Sequence, residues 1–389
     1  MTDRTPPASR TFYEFFAGGG MARAGLGKQW SCLFANDFDP KKVESYVGNW
    51  GSTAMVPGDV ASIETSAIPG HAGLAWASFP CQDLSLAGAG AGLDGDRSGT
   101  FWAFWGHIRR MKKSNRTPKI IVLENVCGAL TSNEGADFRA IAAAMSGIGY
   151  RMGALVINAS RFVPQSRPRL FIIGVAKSHR VPDDLVSDAP IPAWHPASLV
   201  DAVSGLSGAI RNTWLWWNLP EPPARTTIFA DLIEEKPRGV SWHSKDETDR
   251  LLSMMTPRNF AKVELALSAR RRMVGTIYRR TRADGPNGSR VQRAEIRCDE
   301  IAGCLRTPLG GSSRQTIMVI ENGIVRSRLI SPRETARLMG LPESYILPTN
   351  YNDAYHLTGD GLVVPVVAYL ARNLIEPLVD TEAMIARAA

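Results

Sequence analysis

Apolar positions along the first 175 residues fall into two alternating patterns. Short runs with little polar interruption occur at TFYEFF (11–16), SCLFAND (31–37), AMVPGDV (54–60), GLAWASF (73–79), KIIVLENV (119–126), YRMGALVIN (150–158) and RLFIIGV (169–175). Their length and the turn residues around them predict strands. Between two of them, Phe101, Phe104, Trp105 and Ile108 recur at helical spacing. Strands alternating with helices predict an α/β fold with a mostly parallel sheet. The pattern changes after about Gly174. Residues 181–241 are rich in proline and tryptophan and follow no period, which predicts a second, irregular domain from about 181 to 330. Helical periodicity returns at SPRETARLMG (331–340). The stretch GDGLVVPVVAYLARNLIEPLV reads as a turn and then a helix with Pro365 in its first turn.

Composition narrows the class. A chain of 389 residues, 44% hydrophobic and 21% charged, is neither disordered nor fibrous and has room for two domains. No run of 18 apolar residues occurs, which predicts no membrane span. The opening MTDRTPPASR lacks the apolar stretch of a secretory signal. Five cysteines (32, 81, 127, 298 and 304) form no CxxC pair, and six histidines form no HExxH. This predicts a reducing compartment, no disulfide scaffold and no protein-held metal.

Charge adds a partner. The formal net charge is +8. Between Arg270 and Arg297 stand nine arginines against two acids, Asp284 and Glu295, a local excess of seven. A cluster of this kind suits a polyanion, and the guanidinium fork matches phosphates and guanine edges. The competing reading is a solvated charged face. Arg279 and Arg280 are the candidate nucleic-acid contacts.

Candidate chemistry gathers at the carboxyl ends of the predicted strands, where open α/β sheets bind ligands. In FYEFFAGGGMARAGLG (12–27), a strand enters a triple-glycine turn and a helix. Gly18 and Gly20 would let a ligand approach the backbone, and the helix start offers N–H groups. Arg23 stands where GxGxxG would place its last glycine, and a plain βα turn reads the same way. Asp37 in ANDFDP ends the next strand, placed for ribose hydroxyls, with Phe38 able to stack on a base. Asp59 in GDV could accept from an adenine amino group. Capped turns explain Asp39 and Asp59 equally well. In ASFPCQDLSLAGAGAGLDGDRSGTF (77–101), a proline-fixed Cys81 opens a glycine- and alanine-rich loop that reads as a lid, so Cys81 is a candidate nucleophile. Glu124 in VLENV is a carboxyl placed to bond a heterocycle and hold its proton, with a raised pKa. In QSRPR (165–169), Arg167 and Arg169 alternate, which predicts that both point to one face, suited to phosphate and carbonyl recognition, although an ion pair with sheet-end acids explains either one singly.

These segments in this order resemble the DNA (cytosine-5) methyltransferase family of bacterial or phage type, over roughly 11–175 and 326–371. FAGGG resembles its cofactor motif, FPCQ its nucleophile motif, ENV its glutamate motif and QSRPR its paired-arginine motif. RLISPRETARLMGLPESY (328–345) resembles the motif that organises the second domain, and GDGLVVPVV (359–367) the late motif that returns to the cofactor site. Three departures stand out: Asp360 where asparagine is usual, GGGM for GxGG, and Cys304-Leu305 for a Thr-Leu dipeptide.

The resemblance implies a Rossmann-like, S-adenosylmethionine-dependent methyltransferase domain over 1–180 and a smaller target-recognition domain over 181–330. A hinge over 331–358 and a C-terminal segment over 359–389 complete the chain. It implies that Cys81 adds to C6 of a flipped-out cytosine, with Glu124 at N3 and the exocyclic amine. Arg167 would orient the base and Arg169 support the site. Phe16, Ala17, Gly18, Gly20, Asp37, Phe38, Asp59, Val60, Pro80, Thr100 and Asp360 would bind the cofactor. Gln82, Ser85, Gln165, Arg279, Arg280, Gly310 and Gly311 would contact double-stranded DNA, although an ordinary hairpin also explains TPLGGSSRQ (307–315). A cytoplasmic monomer is implied. Two alternatives stay open: an RNA substrate, whose branch carries a CFT motif where CLRT (304–307) stands here, and a silent DNA-binding protein.

Overall fold

The computed structural model describes residues 10–80, 99–269, 271–284, 289–307 and 314–381. The chain divides into two compact units. The first comprises residues up to Asn158, Pro168–Pro222 and the chain from Val364. The second comprises Ala159–Arg167 and Pro223–Val363.

In chain order the first unit opens with β1 (Thr11–Phe15), α1 (Met21–Leu26), β2 (Ser31–Asp37), α2 (Pro40–Trp50), β3 (Met55–Pro57) and β4 (Leu74–Ala77). It continues with α3 (Gly99–Lys113), β5 (Ile120–Val126), α4 (Ala136–Gly147), β6 (Tyr150–Asn158) and β7 (Pro168–Ala176). The seven strands form one sheet in the order β3-β2-β1-β4-β5-β7-β6. The pairs from β3 through β5 are parallel, and β7 runs antiparallel between β5 and β6. Strand order reverses between β1 and β4, the switch point where such sheets leave a crevice. The central strands are apolar on both faces, as a covered sheet requires: all four residues of β4 are buried. On α3 the predicted stripe holds, and Phe101, Phe104, Trp105, Ile108 and Met111 are buried. Phe104 meets Phe15 with ring centroids 4.9 Å apart, and Phe101 meets Phe79 at 5.4 Å.

Residues 181–222 belong to this first unit, so the second unit begins at Pro223 rather than near 181. They contain β8 (Val186–Ser187), α5 (Ala197–Ser204), α6 (Gly208–Arg211) and β9 (Trp216–Trp217). The segment lacks a period because it is laid along the β6 edge instead of building a core of its own. Leu215 N donates to Met152 O at 2.9 Å and Val156 N to Trp194 O at 2.8 Å. Trp194 and Trp217 are fully buried. Gly153 makes the approach possible, since a Cβ there would lie 1.9 Å from Leu215 O.

The second unit contains α7 (Lys245–Ser253), α8 (Pro257–Ser268), β10 (Met273–Asp284), β11 (Ser289–Arg297), β12 (Thr316–Glu321) and β13 (Ile324–Leu329). Its strands form an antiparallel sheet in the order β11-β10-β12-β13. Leu251 and Val263 from the helices, with Met255 between them, meet Ile277, Ile296 and Met318 from the sheet. Then follow α9 (Pro332–Leu338) and α10 (Tyr351–Asp360). Ser331 and Glu334 form a capping box at the start of α9. The Glu334 carboxylate also takes a buried bidentate pair from Arg328 at 2.7 and 2.5 Å.

The chain then supplies α11 (Val364–Leu370) to the first unit. Gly25 of α1 has no side chain because α11 fills that space: a Cβ would lie 2.3 Å from Val367 Cβ. The helical stretch Tyr351–Thr381 has the length and mean hydropathy, 1.6, of a membrane span. Within it Val366, Val367, Leu370 and Leu374 are buried.

Candidate active site

The glycine turn after β1 is held in a backbone form that only a few residues tolerate. Phe16, Gly18 and Gly20 have φ of 57°, 54° and 76°, the left-handed region where a side chain normally clashes. Ala17 N donates to Asn36 O at 2.8 Å, and Gly20 N to Ala17 O at 2.8 Å. Asp37 closes the turn from β2: Oδ2 accepts from Gly18 N at 2.8 Å and Oδ1 from Asp39 N at 3.0 Å. Burial pushes its carboxyl above the usual range against those bonds. Beyond it Phe38 is 69% exposed, an aromatic ring at a strand tip with no packing role. Asn36 ties β2 to the next turn, donating from Nδ2 to Val56 O at 2.9 Å and Gly58 O at 2.8 Å.

Asp59 is exposed and caps the short turn that follows, its Oδ1 accepting from Ala61 N at 2.9 Å. The capping role is therefore present. Val60 is buried, and its carbonyl meets His107 Nε2 at 2.8 Å. Pro80 is exposed at the end of the β4 segment, and Thr100 is half-buried in the first turn of α3. Cys81, Gln82 and Ser85 lie outside the described residues, as do Gly310 and Gly311.

At the carboxyl end of β5, Glu124 is 8% exposed. Its Oε1 lies 3.2 Å from Arg169 Nε, at a ladder where Glu124 pairs Phe171 and Val126 pairs Arg169. The next residue, Asn125, donates from Nδ2 to Phe79 O at 3.1 Å. This buried amide fixes the segment leading to Pro80 and Cys81. The ENV motif carried the signal for Asn125, although the sequence reading singled out only its glutamate.

The two arginines of QSRPR part company. Arg169 opens β7 in the first unit, whereas Arg167 belongs to the second. Arg167 is 2% exposed. It donates to Leu305 O at 3.0 Å, Gly359 O at 2.8 Å, Gly361 O at 2.8 Å and Cys304 Sγ at 3.3 Å. Its guanidinium thus ties main chain together, whereas the alternation in the sequence suggested that both arginines point to one face. The strand begins only at Pro168, so alternation does not extend back to Arg167. Gln165 is turned inward as well. It is fully buried, donating to Leu338 O at 2.9 Å and accepting from Leu305 N at 3.2 Å. Both ends of its amide are bonded within the protein. Asp360 is exposed at the end of α10.

One buried carboxyl escaped the sequence reading. Glu14 in β1 is 1% exposed and accepts from Arg23 N at 3.3 Å through Oε1, while Oε2 has no hydrogen-bond partner among the described residues. Burial pushes its pKa up to about 8. Arg23, in the place of the missing third glycine, lies over Trp50 and bonds Tyr46 Oη at 2.9 Å. Trp50 Nε1 donates to Gly19 O at 3.0 Å, bracing the turn from behind.

The sequence profile of C-5 cytosine-specific DNA methylases matches residues 10–376. The chain is 26% identical over 388 residues to the type II methyltransferase M.HpaII of Haemophilus parainfluenzae, covering 95% of this chain and 90% of that one. It is 27% identical over 369 residues to M.HhaI of Haemophilus parahaemolyticus, covering 93% of each. Among solved structures it is similar to the Dnmt2 methyltransferase of S. pombe, with a TM-score of 0.53 and 18% identity, covering 95% of this chain and 99% of that one. It is likewise similar to the Entamoeba histolytica methyltransferase EhMeth, with a TM-score of 0.56 and 14% identity, covering 98% and 99%. At those identities the structures speak for the Rossmann-like fold. The profile runs through both units and every segment that builds the site: the chain belongs to the C-5 cytosine-specific DNA methylase family, enzymes of the DNA (cytosine-5-)-methyltransferase class.

Proposed function

We propose that this chain methylates C5 of a cytosine flipped out of double-stranded DNA, through a covalent bond from Cys81 to C6. The observation that carries the reading is the Glu124–Arg169 pair, a carboxyl and a guanidinium 3.2 Å apart beside the strand switch point and on the same sheet as the glycine turn. The donor set also fits S-adenosylmethionine. Asp37 offers a buried carboxylate to ribose hydroxyls, Phe38 an exposed ring to adenine, Asp59 an acceptor to its amino group, and Gly18 a backbone with no neighbour where a Cβ would stand. Phe16, Ala17, Gly20, Val60, Pro80, Thr100 and Asp360 complete the proposed wall. When bound, S-adenosylmethionine supplies the methyl group as an electrophile.

The protein's part begins with base flipping, which costs a few kcal/mol of unstacking. The Cys81 thiolate adds to C6 and electrons move to C5, which takes the methyl group. A base then removes the C5 proton and the Cys81–C6 bond breaks, returning the thiolate. Glu124 donates a carboxyl proton to N3 and accepts from the exocyclic amine, so the ring takes up the electrons as the adduct forms. Arg169, held by Glu124, is the arginine offered to the base carbonyl, and Arg167 keeps the main chain around Cys304 and Gly359 in place. The second unit reads the target sequence, and the enzyme acts as a monomer in the cytoplasm.

The test is methyl transfer from labelled S-adenosylmethionine to plasmid DNA, mapped by bisulfite sequencing. Protection of cytosines in one recurrent short context, abolished by Cys81→Ser, is the expected result. Transfer to RNA alone, or full activity in Cys81→Ser, would overturn the reading. Arg169→Ala should lower kcat with folding intact. Arg167→Ala should instead cost about 3 kcal/mol of stability, since two buried carbonyls and one half-buried carbonyl lose a charged donor.

A further inference from the structure

The second unit contains a cavity of about 480 Å³ that the chemistry above leaves unused. Arg250 of α7, Arg279 of β10 and Arg314, just before β12, line it, together with His243, Glu247 and Thr316. Strand alternation explains how Arg279 arrives there. It shares with Ile277 the face of β10 covered by the helices, and Ile277 is in their core. At Arg279 that cover ends and the side chain is exposed.

The arginine cluster divides by what each member touches. Arg280 and Arg282 lie 3.6 and 2.6 Å from Glu295. Arg271 meets Glu300 at 2.8 Å and Arg297 meets Asp299 at 2.5 Å. Among the described residues Arg250 and Arg279 enter no ion pair, and Arg314 lies over the Tyr351 ring at 5.7 Å. The cavity's carboxylate, Glu247, is engaged at the helix cap, accepting from Ser244 N at 2.7 Å. Three guanidinium groups against one carboxylate leave the concavity net positive, and the guanidinium fork fits the paired oxygens of a phosphate.

We propose that this cavity is a binding pocket for a backbone phosphate of duplex DNA, its positive groups supplied by Arg250, Arg279 and Arg314. The proposal rests on the DNA reading above and narrows it. Arg250 lies outside the sequence cluster, and Arg280, a candidate on sequence, is assigned to Glu295 instead.

The test is binding of the full chain to a mixed-sequence 30-bp duplex across a series of salt concentrations. Arg250→Gln, Arg279→Gln and Arg314→Gln should each weaken binding whatever the sequence. The three changes combined should also reduce the slope of log affinity against log salt by about 0.9, the counterion release of one phosphate. Arg279→Lys should keep the slope, which separates charge from folding, and Arg282→Gln should leave it unchanged. A wild-type slope that survives the three changes combined would overturn the pocket. Variants that change which cytosines are methylated, with the slope intact, would overturn the phosphate in favour of base reading. A wild type that fails to bind the duplex would overturn the DNA reading itself.

Discussion

Glu14 is a carboxyl buried in the middle of a strand, behind the turn that the cofactor is proposed to occupy, and it keeps its proton up to about pH 8. The unfolded chain releases that proton near 4.5. Between those values the folded state therefore binds one proton more, and stability falls as pH rises, by about 1.4 kcal/mol per pH unit. Glu14→Gln keeps the shape and removes the titration. Its stability relative to the native chain should thus grow from about pH 5 to pH 8 in urea unfolding. Parallel pH profiles would refute the burial effect. The residue scale is also where sequence reading was least complete. Asp37 stands out in the sequence because it ends a strand at the ligand-binding edge, and Glu124 because it lies near the end of one. The bonding of Arg167 and Gln165 has no local signature, because the carbonyls they meet, of Leu305, Leu338 and Gly359, arrive from more than a hundred residues away.

At the scale of elements the pattern was more readable. β2, β5 and β6 coincide with their predicted runs to within a residue, and the aromatic stripe of α3 is buried as its spacing required. Two features had no local signature. The antiparallel insertion of β7 between β5 and β6 depends on pairing partners, which apolar runs do not reveal. The arginine excess counted along the sequence was also partly cancelled, because Asp299 and Glu300, just outside the counted window, meet Arg297 and Arg271. The contact of α1 with α11 gives an element-level prediction. A Cβ at Gly25 would lie 2.3 Å from Val367 Cβ and 2.9 Å from Val364 O. Gly25→Ala should therefore destabilise the chain by about 1–3 kcal/mol, as overpacked cores do. An unchanged urea midpoint would mean that the two helices slide apart without cost.

On the scale of the whole molecule, the first unit is assembled from three separate stretches of chain. Its last stretch is tied in at several points: Arg10 meets Asp380 at 2.6 Å, Trp30 Nε1 donates to Glu376 at 3.3 Å, and His179 Nε2 lies 2.6 Å from Leu378 O. A chain ending at Val363 should lose cooperative thermal unfolding of the first unit, measured by circular dichroism. A native melting curve in that truncation would show that α11 is dispensable. The same discontinuity orders events during synthesis. A ribosome finishes all seven strands of the sheet, then the entire second unit, before it makes the helix that covers α1. Until then the nascent chain presents the uncovered flank of α1 to chaperones, and the half-made protein lacks a finished methyltransferase domain. Competence to mark DNA would then arrive in a single step, when the final helix docks.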